Sequence, residues 1–285
     1  MIIVKLEGGL GNQMFQYALG RSLSLQHKTL LKFDSSYLKS TNQSGRFLEI
    51  NAFQIKLEEA TKEEIALYRG ILPKILDKLK KESQRKYILE KSYVFDPSIA
   101  ERNDGYFEGH WNSEKYFREY ESVIRQDFQL KNPLSPKALE ARQEITKSKN
   151  AVSIHIRRGD YVSIKKIADV HGALPVSYYE TACDKIIESN SDSQFFISSD
   201  DIEWAKENFP KKYYATFLSS PEIPNAEEMV LMSNCKHHIL ANSTFSWWGA
   251  WLNQNPNKIV ITPKQWFVDP NRVMKDLIPS SWIQI

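Results

Sequence analysis

Residues 151–161 read Ala151-Val152-Ser153-Ile154-His155-Ile156-Arg157-Arg158-Gly159-Asp160-Tyr161. The first six predict a strand, Ala151–Ile156. Val152, Ile154 and Ile156 share one face of its pleat, and Ser153, His155 and Arg157 share the other. The strand stops at Arg-Arg-Gly-Asp, and from there the chain keeps a regular beat. Strands are predicted at Gln194–Ser198, Tyr213–Phe217, His238–Ala241 and Lys258–Thr262, with helices at Ser177–Glu188, Asp201–Asn208, Glu227–Asn234 and Phe245–Asn253. Strands that alternate with helices in this way form an open parallel sheet with right-handed crossovers.

Upstream, Ile2-Ile3-Val4-Lys5-Leu6 is a β-rich run closed by Gly8-Gly9-Leu10-Gly11. Phe15, Ala18, Leu19 and Ser22 then mark one face of a helix, and Thr29–Phe33 predicts a second strand. A charged helical stretch is expected from Glu58 to about Lys81. A strand follows around Gly105–Trp111, then helices around Tyr116–Phe128 and Pro136–Lys147. The chain therefore reads as α/β in two domains, 1–149 and 150–285, divided at the polar Lys147-Ser148-Lys149-Asn150. The final segment is free to pack back on the N-terminal domain.

The chain has 285 residues, 26% of them charged and 41% hydrophobic, which is a globular composition rather than a disordered or collagen-like one. Lys and Arg number 38 against 35 Asp and Glu, a net charge of +3. That near-balance argues against a nucleic-acid-binding role. Two distant cysteines, Cys183 and Cys235, form no CxxC. They exclude a disulfide framework and fit a reducing cytosol. The N-terminus is too short and too early charged for a signal peptide, and no apolar run is long enough to span a membrane. A cytoplasmic protein is expected. The lysine- and arginine-rich run 74–91, with apolar Ile75, Leu76 and Leu79, allows a peripheral contact with the inner face of an anionic membrane. A solvated helix face is its commoner explanation.

Residues suited to chemistry sit at strand ends, where ligands bind in open α/β sheets. Arg157 and Arg158 close the first quoted strand, and guanidinium forks grip phosphates bidentately. Asp160 is placed to pair with one of them; a purely structural Arg–Asp pair is the alternative. Ser198-Ser199-Asp200-Asp201 follows another strand. One aspartate suffices to cap the next helix, which leaves a carboxylate to accept hydrogen bonds from a guanine edge. Asn242, Ser243, Thr244 and Ser246 combine hydroxyls with the amides of a helix start, an arrangement suited to an anion. Phe245, Trp248 and Leu252 read as core. Gly8-Gly9-Leu10-Gly11-Asn12-Gln13 forms a glycine loop before a helix. The dinucleotide GxGxxG fingerprint fails at Met14, and no Gly-Lys-Ser/Thr completes a P-loop. There is no Asp-x-Asp, no HExxH and no GxSxG. No metal site is expected.

Glu7–Ala18, His155–Tyr161, Ser199-Asp200-Asp201 and Asn242–Gly249 together resemble the α-1,2-fucosyltransferases of glycosyltransferase family 11, over residues 1 to about 265. The resemblance implies a GT-B-like fold, two Rossmann-like domains facing a cleft, with an acceptor-side N-terminal domain and a donor-binding C-terminal one. It implies GDP-β-L-fucose as donor substrate, a galactose-terminated glycan as acceptor, inversion at the anomeric carbon, and no metal or other cofactor. Arg157 would bind the β-phosphate, supported by Arg158 and Asp160. His155 and either Asp200 or Asp201 would hold guanosine, and Gly9, Gly11 and Asn12 would lie near the cleft. Candidates for a base are Glu7, Asp34 and His171. Transfer from another nucleotide-sugar, or non-catalytic carbohydrate binding, are the alternatives.

Overall fold

The computed structural model of the chain describes residues 1–40, 46–269, 272 and 274–285. The chain divides into two compact units: Met1–Lys131 with Val273–Ile278, and Asn132–Arg272 with Pro279–Ile285.

The first unit contains β1 (Ile2–Lys5), α1 (Leu10–His27), β2 (Leu31–Asp34), α2 (Ser36–Ser40), α3 (Lys62–Arg69), α4 (Ile71–Lys78), β3 (Tyr87–Leu89), β4 (Gly105–Glu108) and α5 (Glu121–Asp127). Its four strands form a parallel sheet in the order β2-β1-β4-β3. β1 is buried at every position, as a strand covered on both faces must be. The charged stretch expected as one helix from Glu58 to Lys81 is two. Thr61 and Glu64 form a reciprocal capping box at the start of α3, and Gly70 ends α3 and opens α4. β3 escaped the sequence reading because its short run lies inside the basic stretch 74–91.

The second unit contains α6 (Pro136–Lys147), β5 (Asn150–Ile156), α7 (Gly159–Ser163), α8 (Lys165–Ala168), α9 (Val176–Ser189), β6 (Ser193–Ser199), α10 (Ile202–Asn208), β7 (Ala215–Phe217), α11 (Asn225–Asn234), β8 (His237–Ile239), α12 (Thr244–Leu252), β9 (Val260–Thr262) and β10 (Ile283–Gln284). Its parallel sheet has the order β10-β9-β8-β5-β6-β7. From β5 the chain runs outward through β6 and β7, then returns to build β8, β9 and β10 on the other side. The reversal makes a topological switch point between β5 and β8, the place where open α/β sheets bind ligands beyond the strands' carboxyl ends.

Both faces of this sheet are covered. Val152, Ile154 and Ile156 pack with Tyr178, Tyr179, Ala182, Cys183 and Ile186 from α9. On the other face Ala151 and Phe196 pack with Leu231 from α11 and with Ala138 and Ile145 from α6. That last contact moves the boundary: α6, expected in the N-terminal domain, is part of the second unit's core, and the division falls at Lys131/Asn132 rather than 149/150. The C-terminal return is tied to the first unit through Asp276, which accepts the Phe95 amide at 2.9 Å and pairs with Lys115 at 2.5 Å. β10 was not expected because it is short and exposed on both residues.

In the first unit, Gly20 of α1 lets the helix lie close on the sheet. A Cβ there would stand 2.8 Å from Val4 Cγ2 and 2.8 Å from Leu31 Cδ1. Gly20→Val is expected to destabilise the protein by about 1–3 kcal/mol through overpacking. Urea unfolding followed by circular dichroism measures this as a lower midpoint.

Candidate active site

At the switch point, β5 delivers Arg157 and Arg158, and β6 delivers Asp200 and Asp201. Asp200 accepts the Arg158 amide at 2.8 Å and lies 3.1 Å from Arg157 Nη1. The approach works because residue 159 is glycine: a Cβ there would sit 2.3 Å from Asp200 Oδ2. Arg157 Nη2 donates to Asp160 at 2.6 Å. Burial disfavours the Arg157 charge, but Asp200 and Asp160 outweigh it and raise its pKa further. Arg158 stands 3.4 Å from Asp201, and its guanidinium lies 3.7 Å from the Trp204 ring centroid. Trp204, absent from the sequence reading, is thus the floor under Arg158. Its only sequence signal is its place in the first turn after Asp201.

These contacts change how the two aspartates are read. Asp201 caps α10, accepting the Trp204 amide at 3.4 Å, and Asp200 orders the arginine loop. Two arginines are met by three carboxylates, so the cluster is not a bare cationic patch. It is a held guanidinium pair. Arg157 turns Nη2 to Asp160 and Nη1 toward Asp200, so both ends of its fork are held by a carboxylate.

The β8–α12 loop supplies the other wall. Tyr161 Oη donates to the Asn242 carbonyl at 3.1 Å, joining it to the β5 loop. The Asn242 side chain, expected at a ligand, instead donates to the carbonyls of His171, Gly172 and Trp266 at 2.8, 3.1 and 3.1 Å. Ser246 is also turned inward and donates to Ser243 O at 3.1 Å. The Asn242 amide nitrogen and the Ser246 hydroxyl are thus scaffold, while Asn242 Oδ1 is buried without a partner. Ser243 is the N-cap of α12, its hydroxyl taking the Phe245 amide at 3.3 Å. Ser243 and Thr244 remain at the helix start, where the dipole favours an anion. His171 stacks on Tyr161 at 4.7 Å.

His155 is 4% exposed and lies 5.4 Å from the Phe245 ring, with Nδ1 buried and unpartnered. Burial, assisted by Arg157, lowers its pKa to about 3. It is a neutral imidazole inside the fold.

In the first unit, the switch point lies between β1 and β4. Gly8 takes a φ of +77°, and Gly9 is the N-cap of α1, so Gly11 and Asn12 lie in the helix rather than the loop. Gln13, unassigned in the sequence, saturates its amide: it donates to Gly8 O and Phe47 O and accepts from the Glu49 and Ile50 amides, all within 3.2 Å. Gln16 accepts the Glu7 amide at 2.9 Å and donates to Gly109 O at 3.0 Å, joining the ends of β1 and β4. Glu7 pairs with Lys5 at 2.6 Å. Asp34 is buried and accepts from Tyr106 Oη at 2.7 Å; despite burial its hydrogen bonds to Ser36 and Tyr106 lower its pKa. It is a structural carboxylate, which removes it as a base.

A further carboxyl was not anticipated. Glu90 accepts the amides of His110 at 2.7 Å and Trp111 at 3.0 Å, and burial pushes it up to about 7 against those two donors. A Cβ on Gly109 would lie 2.4 Å from Glu90 Cβ. Trp111, bulky and buried, holds a φ of 58°, a strained value of the kind that concentrates at functional sites. The sequence signal was a glycine two residues before a tryptophan, and it does not identify the partner 20 residues upstream. Among the described residues, no group of three or more His, Cys, Asp or Glu is arranged to hold a metal ion.

The profile of glycosyl transferase family 11 matches residues 1–285. The Escherichia coli alpha-1,2-colitosyltransferase is 35% identical, the match covering 100% of this chain and 99% of that protein. The Escherichia coli O-antigen biosynthesis glycosyltransferase WbnK is 33% identical, over 98% of this chain and 99% of its own. Among solved structures, POFUT1 in complex with GDP-fucose aligns with a TM-score of 0.50 at 13% identity, covering 92% of this chain and 97% of that one. That likeness concerns the fold alone, α/β of the GT-B-like class. The chain belongs to glycosyl transferase family 11 and is a glycosyltransferase using a nucleotide-sugar donor.

The depressed pKa of His155 has a measurable consequence. An unfolded histidine titrates near 6.5 and the folded one near 3, so between these values the unfolded state binds more protons and stability falls as the pH falls. His155→Phe is expected to flatten the slope of unfolding free energy in that window by about 1.4 kcal/mol per pH unit. Urea titrations of both proteins at several pH values between 4 and 7 (roughly the window in which the unfolded imidazole protonates) check the difference.

Proposed function

We propose that this family 11 member transfers L-fucose from GDP-β-L-fucose to O2 of a terminal β-galactose, with inversion and without a metal ion, as an α-1,2-fucosyltransferase of surface-polysaccharide assembly. The observation that carries the reading is Arg157, held in place by Asp160 and Asp200 at the switch point of the second sheet. In the reaction, the galactose oxygen forms a bond to the anomeric carbon while the bond to the β-phosphate oxygen breaks. The leaving GDP keeps the electron pair, and the hydroxyl proton passes to a base or to water. Charge grows on the β-phosphate as the bond breaks, and a preorganised guanidinium stabilises the transition state more than the ground state. The start of α12, with Ser243 and Thr244, supports the diphosphate.

The second unit is the donor side in this reading and the first the acceptor side. Asp200 or Asp201 would hold guanosine only beside its scaffold role, and neutral His155 would contribute to the wall of the base pocket. For the acceptor proton, Glu90 joins Glu7 and His171, since a carboxyl titrating near 7 is matched to proton transfer at neutral pH. A cytoplasmic setting and peripheral contact with the inner face of a membrane belong to the same reading. GDP-colitose is the second donor to consider: the 35% identical relative carries the name colitosyltransferase, whereas the Caenorhabditis elegans galactoside 2-alpha-L-fucosyltransferase, matched over 78% of its length, is 26% identical. Colitose lacks the 3-hydroxyl of L-fucose, so a site that hydrogen-bonds that hydroxyl discriminates strongly between them.

Two experiments test the reading. GDP-fucose and GDP-colitose are offered separately with a panel of β-galactosides in excess chelator, and products are identified by mass spectrometry and NMR. An α-1,2-fucosylated galactoside at undiminished rate is expected; preference for GDP-colitose, or a rate restored only by divalent ions, overturns the donor or the metal assignment respectively. In the second, Arg157→Lys keeps the charge but loses the planar fork. Its kcat is expected to fall about 100–1000-fold with the fold intact by circular dichroism. Near-normal turnover in the folded variant refutes the role of Arg157.

A further inference from the structure

The first unit carries a helix with its polarity reversed. Leu67 stands on the last turn of α3, before the break at Gly70; along α4, Ile71, Ile75 and Leu79 follow a four-residue spacing that makes one ridge, and Leu72 and Leu76 make the ridge beside it. All six face solvent, with exposures of 68, 81, 53, 81, 72 and 57%. The opposite side of α4 holds its acid. Asp77 is 6% exposed and accepts the amides of Lys86 at 2.7 Å and Tyr87 at 2.8 Å, latching α4 to the start of β3. Lys74 lies 4.4 Å from the Tyr87 ring centroid on the same side. The helix is therefore fastened by polar contacts, and its apolar ridges are left outside. Contiguous exposed apolar surface of this kind marks an interaction site.

The charge around the ridges says what covers them. In residues 71–81 the only acid is the buried Asp77, which pairs with Lys80 at 2.9 Å, while Lys78 and Lys81 stand exposed at the C-terminal end beside Leu79. A second copy of the same face would offer these lysines no exposed acid from residues 71–81, so it lacks the charge complementarity they call for. An anionic bilayer satisfies both features: apolar side chains enter the boundary between headgroups and acyl chains, and lysines reach lipid phosphates along their flexible stems.

We propose that α4, with the end of α3, is an interfacial docking element that binds the protein reversibly to anionic phospholipid bilayers. The inference gives the peripheral contact in the reading above its surface and its lipid chemistry, and its test reads binding without turnover, so either can fail alone. The full chain is sedimented with vesicles of phosphatidylcholine alone and of phosphatidylcholine mixed with phosphatidylglycerol. Binding is expected only to the mixed vesicles and is expected to weaken in high salt. The triple variant Ile75→Asp, Leu76→Asp, Leu79→Asp is expected to lose binding by about tenfold or more, and Lys78→Glu with Lys81→Glu by a similar factor. Circular dichroism should be unchanged, because none of these side chains is buried. Vesicle binding that survives the triple aspartate variant, or no binding to either vesicle, overturns the proposal. So does a wild-type dimer in light scattering that the same variants dissociate, which would assign the ridge to a second copy.

Discussion

Asp200 ties the carboxyl end of β6 to that of β5, and the rest of the site hangs on that tie. Its carboxylate takes the Arg158 amide and faces the Arg157 guanidinium, at a distance that only a residue without a Cβ at position 159 allows. Flexible arginines lose much rotamer freedom when a ligand orders them. Here that ordering is done in advance by Asp200 and Asp160 for Arg157, and by Asp201 and the Trp204 ring for Arg158. A guanidinium fixed before the reaction needs no reorganisation while charge develops on a leaving group.

The same tie explains the charge balance. Three carboxylates against two arginines leave no excess cation, so any attraction for an anion has to come from direction rather than net charge: the guanidinium N–H groups and the start of α12. Tyr161 keeps these two parts in register through its hydrogen bond to the Asn242 carbonyl, while the Asn242 side chain holds three carbonyls behind it. The result is a frame in which most polar groups are tied to one another across the strand ends.

The first unit solves a parallel problem with amides instead of arginines. Gln13 and Gln16 spend every hydrogen bond on loops at the strand ends, and Glu90 fixes the turn at Trp111 by receiving two consecutive backbone N–H groups. The strained Trp111 backbone persists because Glu90 and the missing Cβ at Gly109 over-determine it. The cost is a carboxyl partly withdrawn from water, which is why its proton affinity rises.

Periodicity alone determined the α/β class, the parallel sheet of the second unit and the strand ends at which Arg157, Asp200 and Ser243 stand. These follow from local rules, since a buried parallel strand must be apolar and a helix start must be capped. The family was legible because its motifs lie in contiguous stretches. What tertiary structure decided is which polar residues remain for a ligand. Asn242, Ser246 and Asp34 look like functional groups in the sequence, but the Asn242 amide and the Asp34 carboxylate bond to groups tens of residues away, and the Ser246 hydroxyl turns back to the carbonyl of Ser243. Glu90 and Trp204 gain their importance from neighbours that no spacing reveals, and α6 joins the second unit because Ala138 and Ile145 meet Ala151 and Phe196. A sequence states what each side chain is able to bond; only the fold determines with whom that bond is made, because burial leaves each polar group a single set of partners within reach.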